Sequence, residues 1–522
     1  MAPPLVIRNM TSCSISLNSI ERFEDPNSQQ SKGTAFPFTS KNTTSLAPPA
    51  PKLGEHAQTF NHQDLGVLLP PFHSYTLNPP SSASDGGDAP SSLASKTLRL
   101  TIQSAGGERY RIDTNPTYTQ KASRAFTPLN PNPSTSYTAL YHPAKPTSHL
   151  TIHTNHLRDL STWMSVLPST LPLSALSIPG THNSHTYYRA LPSVRCQLVS
   201  VKIQLENGIR FLDIRVQPSH PTDTNNKDLY LVHGAFPISL TGTKYLEPVL
   251  KTCYEFLESH PNETILMSLK REGVGNSTDE HLSQVLEKHY LTPNKDKWHT
   301  GSDIPYLGDV RGKLVLVRRY NLHESLKTAP DNDGYGLDAI EWPYNCTHAV
   351  HGPFCIQDFC DVLHPSTIAK KLRYSNEHLV RSAECTAFIP GVNTDKTNPV
   401  PAGPLYLNFL SGSNFWRMGC WPDKIAKVVN RGIEEWICIG HHLEHPASSS
   451  GESARDGAGD TELDGKIVQG GIVRKVKAGD GCTGVVVMDC VGDGGDWDLV
   501  KMIVGMNMGV LMKTGDTEGK RT

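Results

Sequence analysis

The chain has 522 residues, too many for one compact core, so two domains or one large barrel with additions is expected. Its formal net charge is −2 at pH 7. That excludes a general electrostatic case for nucleic acid and requires any anionic ligand to be held by a local cluster of cations.

The N-terminus, MAPPLVIRNMTSCSISLNSIERF, lacks the charged head and apolar core of a conventional signal peptide. No apolar run approaches the roughly 20 residues that span a bilayer. The 11 cysteines are scattered without paired C-x-x-C spacing, which argues against structural zinc and for reduced thiols. A cytoplasmic location is therefore expected, with peripheral attachment to membranes or unconventional export left open. Residues 1–150 carry short, often alternating runs (LVIRNM, ISLNSIERF, TLRLTIQSA, ERYRIDT) between polar and Pro-rich stretches. They predict a small β-sandwich-like accessory domain without a catalytic constellation.

From about 155 the rhythm changes. ALSIPG, IRFLDIRV, LYLVHGAF, ETILMSLKRE, KLVLVRRY, PLYLNFLSG and CTGVVVMDCV are apolar runs that end in polar or charged residues. Between them lie stretches such as KYLEPVLKTCYEFLESHP, with apolar residues at helical spacing. This alternation is that of an α/β parallel sheet, and residues 155–522 are read as one barrel with a flexible Ser/Gly/Asp-rich insertion at 445–470. In a closed β/α barrel, function sits just past the C-terminal strand ends. Those ends carry His182, Arg215, His233, Lys270, Arg319 and Asp489.

Two imidazoles can serve as general base and general acid, and a guanidinium between them can stabilise charge on phosphate oxygens. Together they fit phosphodiester cleavage by an internal hydroxyl. Each also has a bland reading: a turn histidine at His233, a surface pair at Lys270 and Arg271, a helix cap at Asp489. Arg215 is expected to point away from Asp213.

The residues from about 158 onward resemble the bacterial-type phosphatidylinositol-specific phospholipases C. The resemblance rests on WMSVLPSTLPLSALSIPGTHNS, QLENGIRFLDIRV, LYLVHGAF, PNETILMSLKRE, IPYLGDVRGKLVLVRRY, LYLNF and VVVMDCV, in that order. It implies a distorted TIM-type barrel and metal-independent cleavage of phosphatidylinositol to diacylglycerol and inositol 1,2-cyclic phosphate. By the same resemblance His182 is the general base, His233 the general acid, Arg215 the phosphate ligand and Asp489 the carboxylate that orients the base. Lys270, Arg319 and Asp358 grip the inositol headgroup. No cofactor is implied; the partner is phosphatidylinositol or a related inositol lipid at a membrane surface.

Two positions depart from the bacterial pattern. Asn183 replaces an Asp, and it is expected to hold His233 without stabilising its charged form as a carboxylate does. Cys360 replaces an aromatic that stacks on inositol. Asn at position 183 also occurs in the calcium-dependent relatives as a metal ligand, but Arg215 and Lys270 occupy the places of their acidic ligands, which argues against calcium. Two other readings remain. One is a catalytically weak module that binds inositol lipids or glycans. The other is a metal-dependent phosphodiesterase of the sphingomyelinase D or glycerophosphodiesterase type, which needs several carboxylates around a metal.

Overall fold

The computed structural model describes residues 4–11, 13–24, 58–77, 96–114, 124–142, 148–154, 159–327, 334–384, 403–440, 477–478 and 481–514. The insertion expected at 445–470 lies outside the described residues. The chain divides into two compact units. One comprises described residues before 156 with the segment 438–480; the other comprises 157–437 and the residues from 481 onward.

The first unit is all β. One sheet has six strands in the order Lys477–Ala478, His73–Leu77, Leu5–Asn9, Ser148–Thr154, Tyr137–His142 and Arg124–Ala125. The other has five: Gln58–Leu69, Ile15–Glu24, Lys96–Gln103, Arg109–Thr114 and Thr127–Pro128. Pairing is antiparallel except between Leu5–Asn9 and Ser148–Thr154, which run parallel. Alternation sends one face of each strand inward. Ile7 and Ile152 from the first sheet and Leu17, Ile102 and Ile112 from the second join one apolar core.

The second unit is built on an 11-stranded sheet. Its centre is a run of parallel strands in the order Leu314–Arg319, Ile265–Arg271, Phe211–Pro218, Ile178–Thr181, Val485–Met488, Leu405–Phe409 and Phe354–Gln357. These strands are buried along most of their length, which is why they read as nearly continuous apolar runs. Around the sheet they follow chain order, and the last returns beside the first, so the sheet curls as an open half-barrel. Among the described residues no ladder joins Leu337–Asp338, which pairs with the Leu314–Arg319 strand, to Ala349–His351, which pairs antiparallel with Phe354–Gln357. The helix Leu246–Ser259 lies where the spacing puts it and buries Leu246, Val249, Leu250, Cys253, Phe256 and Leu257. This arrangement brings the C-terminal ends of the parallel strands to one rim.

Candidate active site

The strand Ile178–Thr181 delivers His182 to that rim through a turn of restricted geometry. A Cβ on Gly180 would lie 2.8 Å from the Phe211 Cβ, so only glycine lets the two strands pair at this height. Asn183 has φ of 43°, a left-handed conformation that asparagine tolerates better than most residues. Thr181 Oγ1 donates to Gln204 Oε1 at 2.7 Å, Ser184 Oγ donates to the Thr181 carbonyl at 2.8 Å, and the Asp213 N–H donates to Ser184 Oγ at 2.9 Å. With these groups buried, the turn has little freedom.

His182 is held from both ends. Its Nδ1 lies 2.8 Å from Asp489 Oδ1, and Gln197 Nε2 donates to its backbone carbonyl at 2.7 Å. A carboxylate on Nδ1 selects the tautomer with the proton there and leaves the Nε2 lone pair free for chemistry. Two donors converge on that lone pair, Arg215 Nη2 at 3.1 Å and Asn183 Nδ2 at 3.2 Å.

Arg215, Lys270 and Arg319 are direct neighbours across three parallel strands. Their charges are balanced from below and beside. Asp213 Oδ2 lies 3.2 Å from Arg215 Nη2, and Asp213 Oδ1 lies 3.6 Å from Arg319 Nη1. The expectation that Arg215 turns away from Asp213 is therefore wrong: residues two apart on a strand share a face. Glu272 accepts from Arg215 Nη1 at 3.0 Å and lies 3.5 Å from Lys270 Nζ. Burial opposes the charge on Arg215, but Asp213 and Glu272 outweigh it and hold the guanidinium above its ordinary range. Burial likewise opposes the charge on Glu272, yet Arg215 and Lys270 bring its pKa down to about 2. Burial, reinforced by Arg215 and Arg319, lowers the pKa of Lys270.

The far wall is aromatic. Arg319 stacks on Trp342, with Cζ 3.8 Å from the ring centroid, and Trp342 Nε1 donates to Asp358 Oδ2 at 3.1 Å. Asp358 thus meets the cation row through an indole. Cys360 follows on the same segment; burial and Asp358 push its thiol up to about 12. The Tyr344 hydroxyl donates to Asp361, leaving a largely exposed ring at this edge.

His233 faces His182, with ring centroids 6.1 Å apart and planes perpendicular at 90°. Its Nδ1 donates to the Val194 carbonyl at 2.8 Å. Asn183 does not hold it as expected: the Asn183 amide sits against His182 and, at 3.8 Å, the Cys196 sulfur. Burial, with Arg215 and His182 adding positive charge, lowers the His233 pKa to about 3.

The site thus brings together His182, Asn183, Arg215, His233, Asp489, Lys270 and Arg319, with Asp358 joined through Trp342. Asp213, Glu272, Trp342 and the Val194 carbonyl were not singled out from sequence. Period-two spacing from Arg215 would have found Asp213; the others come from loops and carry no local pattern. His182, Cys196 and Asp489 also place one ligand atom each within 4.8 Å of one another. Burial and the Asp489 charge hold the Cys196 thiol well above its ordinary range, and Asp489 is engaged on Nδ1. A guanidinium 3.1 Å from Nε2 opposes a dication at the remaining nitrogen.

Residues 169–320 match the family model for the X domain of phosphatidylinositol-specific phospholipase C. This stretch is similar to that X domain. The match covers His182, Asn183, Arg215, His233, Lys270 and Arg319 and ends before Asp358 and Asp489. The 1-phosphatidylinositol phosphodiesterase of Listeria monocytogenes is 40% identical over 166 residues, 30% of this chain and 47% of that protein. The Staphylococcus aureus enzyme of the same name is 29% identical over 35% of this chain and 58% of its own length. Human PI-PLC X domain-containing protein 1 is 30% identical over 30% of this chain and 55% of its length. The chain therefore spans about half the length of the curated relatives it matches. A solved phosphatidylinositol-specific phospholipase C of Staphylococcus aureus aligns over 67% of this chain and 98% of its own, with a TM-score of 0.47 and 21% identity.

Proposed function

We propose that the chain is a phosphodiesterase that cleaves phosphatidylinositol to diacylglycerol and inositol 1,2-cyclic phosphate, by general acid and base catalysis without a metal, on a distorted TIM-type barrel. The observation that carries this reading is the relay Asp489–His182–Arg215, at 2.8 and 3.1 Å, with His233 facing it. His182 Nε2 takes the proton of the inositol 2-hydroxyl as that oxygen attacks phosphorus, and the imidazolium formed is stabilised by Asp489. Arg215 donates to the phosphate oxygens, where charge builds in the transition state. His233 Nε2 protonates the departing diacylglycerol oxygen. A phosphodiester anion on Arg215 offsets the cation that depresses His233, so substrate itself prepares the acid. Lys270, Arg319 and Asp358 bind the inositol hydroxyls. The cation row fits metal independence: positive charge that a metal would supply is already built into the strands.

A lipid surface suits the rim. Phe236 and Phe415 stack at 4.1 Å, and Trp416, Met418 and Leu240 beyond them are 87%, 64% and 63% exposed. Exposed apolar side chains grouped beside a site are a membrane-contact signature. No helix among the described residues is long and apolar enough to cross a membrane, so contact would be peripheral. We read the first 150 residues as a β-sandwich-like accessory domain outside this chemistry.

The test is incubation of the purified chain with phosphatidylinositol micelles in chelator, followed by phosphorus NMR. Cyclic inositol phosphate that disappears in His182→Ala and His233→Ala supports the proposal. Binding without product favours the weak binding module, and activity lost to chelator favours a metal-dependent phosphodiesterase.

A further inference from the structure

The helix Ile368–Glu384 buries a polar stripe. Lys371, Ser375, His378 and Ser382 recur at helical spacing, and each is fully buried. Such a face is costly unless every group is satisfied. Lys371 Nζ donates to Gln357 Oε1 at 3.1 Å, Gln357 Nε2 donates to Ser375 Oγ at 3.1 Å, and Ser382 Oγ donates to the Cys482 carbonyl at 3.0 Å. His378 is different. Neither of its ring nitrogens makes a well-formed hydrogen bond, although the Cys355 backbone approaches the ring.

Cys355 and Gln357 alternate with Phe354 and Ile356 on their strand, so they share the face that meets this helix. His348 reaches the same place from the loop before Ala349–His351, with Nδ1 3.7 Å from Cys355 Sγ. The ligand atoms of His348, Cys355 and His378 all lie within 4.8 Å of one another. In a tetrahedral zinc site, sulfur and nitrogen ligands stand about 3.6 Å apart, given Zn–S near 2.3 Å and Zn–N near 2.0–2.1 Å. One edge is already at that length, and the others need a contraction on the order of 1 Å.

We propose that His348, Cys355 and His378 form a zinc site, distinct from the phosphodiesterase pocket, that pins the Ala349–Gln357 hairpin to the helix behind it. The exposed His348 leaves the fourth position open to water. Asp358 follows the hairpin directly, so the clamp also steadies one wall of the headgroup pocket. This site does not depend on the proposed reaction.

The test uses the full chain, stripped with chelator and titrated with Co2+ as an optical probe, then with Zn2+ in competition. A thiolate-to-cobalt charge-transfer band at one equivalent, displaced by Zn2+, is expected. It should be lost in Cys355→Ser, appear only at much higher Co2+ in His348→Ala, and be kept in Cys196→Ser. His348 is exposed, so its variant tests ligation even if Cys355→Ser fails to fold. No band, or a band that survives both Cys355→Ser and His348→Ala, overturns the proposal. A band lost in Cys196→Ser also overturns it, because the ion then sits at His182.

Discussion

His182 and His233 face each other across one pocket and are held by different chemistry. His182 has a carboxylate on Nδ1, 2.8 Å away, whereas His233 has only the Val194 carbonyl at the same distance. A carboxylate stabilises an imidazolium; a neutral carbonyl orients the ring and does little for its charge. Burial and Arg215 then drive the His233 pKa to about 3. On the proposed mechanism, environment separates the two rings into a base that accepts a proton and a neutral partner that gains acid character only with an anion in the pocket.

The sharpest way to break this pairing is to remove either ring. His182→Ala and His233→Ala should each cost about 10^3 to 10^4-fold in kcat/KM for phosphatidylinositol, the upper end of what a general acid or base contributes. If the comparison holds, a substrate with a better leaving group rescues His233→Ala and not His182→Ala. Equal rescue of both would sink the assignment of base and acid.

Arg215→Lys comes next, at about 10^2 to 10^3-fold. Lysine keeps the charge but loses the planar fork that meets His182, Asp213 and Glu272 at once. Asp489→Asn should cost on the order of 10^2-fold, because the Nδ1 partner stays but no longer stabilises the imidazolium. The basic limb of the kcat profile, which reports His233 with the phosphodiester anion in the pocket, should stay in place in Asp489→Asn and move in Arg215→Lys.

The strand-end residues were legible because a parallel sheet has one exposed rim and apolar runs that stop at it. His182, Lys270, Arg319 and Asp489 stand at or next to the end of such a run, Arg215 stands three residues before the end of Phe211–Pro218, and the sheet register makes neighbours of Arg215, Lys270 and Arg319. What sequence did not disclose was the company these groups keep. Glu272 lies beyond its strand, Trp342 comes from a loop, and Val194 acts through its backbone, whose carbonyl leaves no mark on residue type. The Asn183 expectation failed for a related reason. A left-handed turn aims its amide at the adjacent ring, and nearness in sequence to His182 decided the contact.

Stability against pH gives a smaller effect on the same comparison. Burial depresses His233 to about 3 and His185 to about 4, against an unfolded value of 6.5. Between those values the unfolded chain binds more protons, so stability rises with pH there and is lost as pH falls from 6.5 toward 3. Above 6.5 these groups contribute no slope. The thermal midpoint should therefore decline on acidification below 6.5, and His233→Gln should flatten that decline.

The smallest effect is expected from Asn183→Asp, and it bears most directly on the difference between the rings. The Asn183 amide lies 3.8 Å from the Cys196 sulfur, which in turn lies 3.9 Å from His233 Nδ1. A carboxylate at this position adds negative charge near both histidines. It meets His182 Nε2 directly, at 3.2 Å, so the new charge should change His182 more than His233. An opposite charge at such range raises an imidazole pKa by roughly 1 unit. The acidic limb of the kcat profile, which reports the base, should then move to higher pH and turnover on that limb should fall a few-fold, as the base is protonated in more of the molecules. A profile that shifts only on its basic limb would mean that the carboxylate acts on His233 through Cys196, and that the two rings do not differ in the way their partners imply.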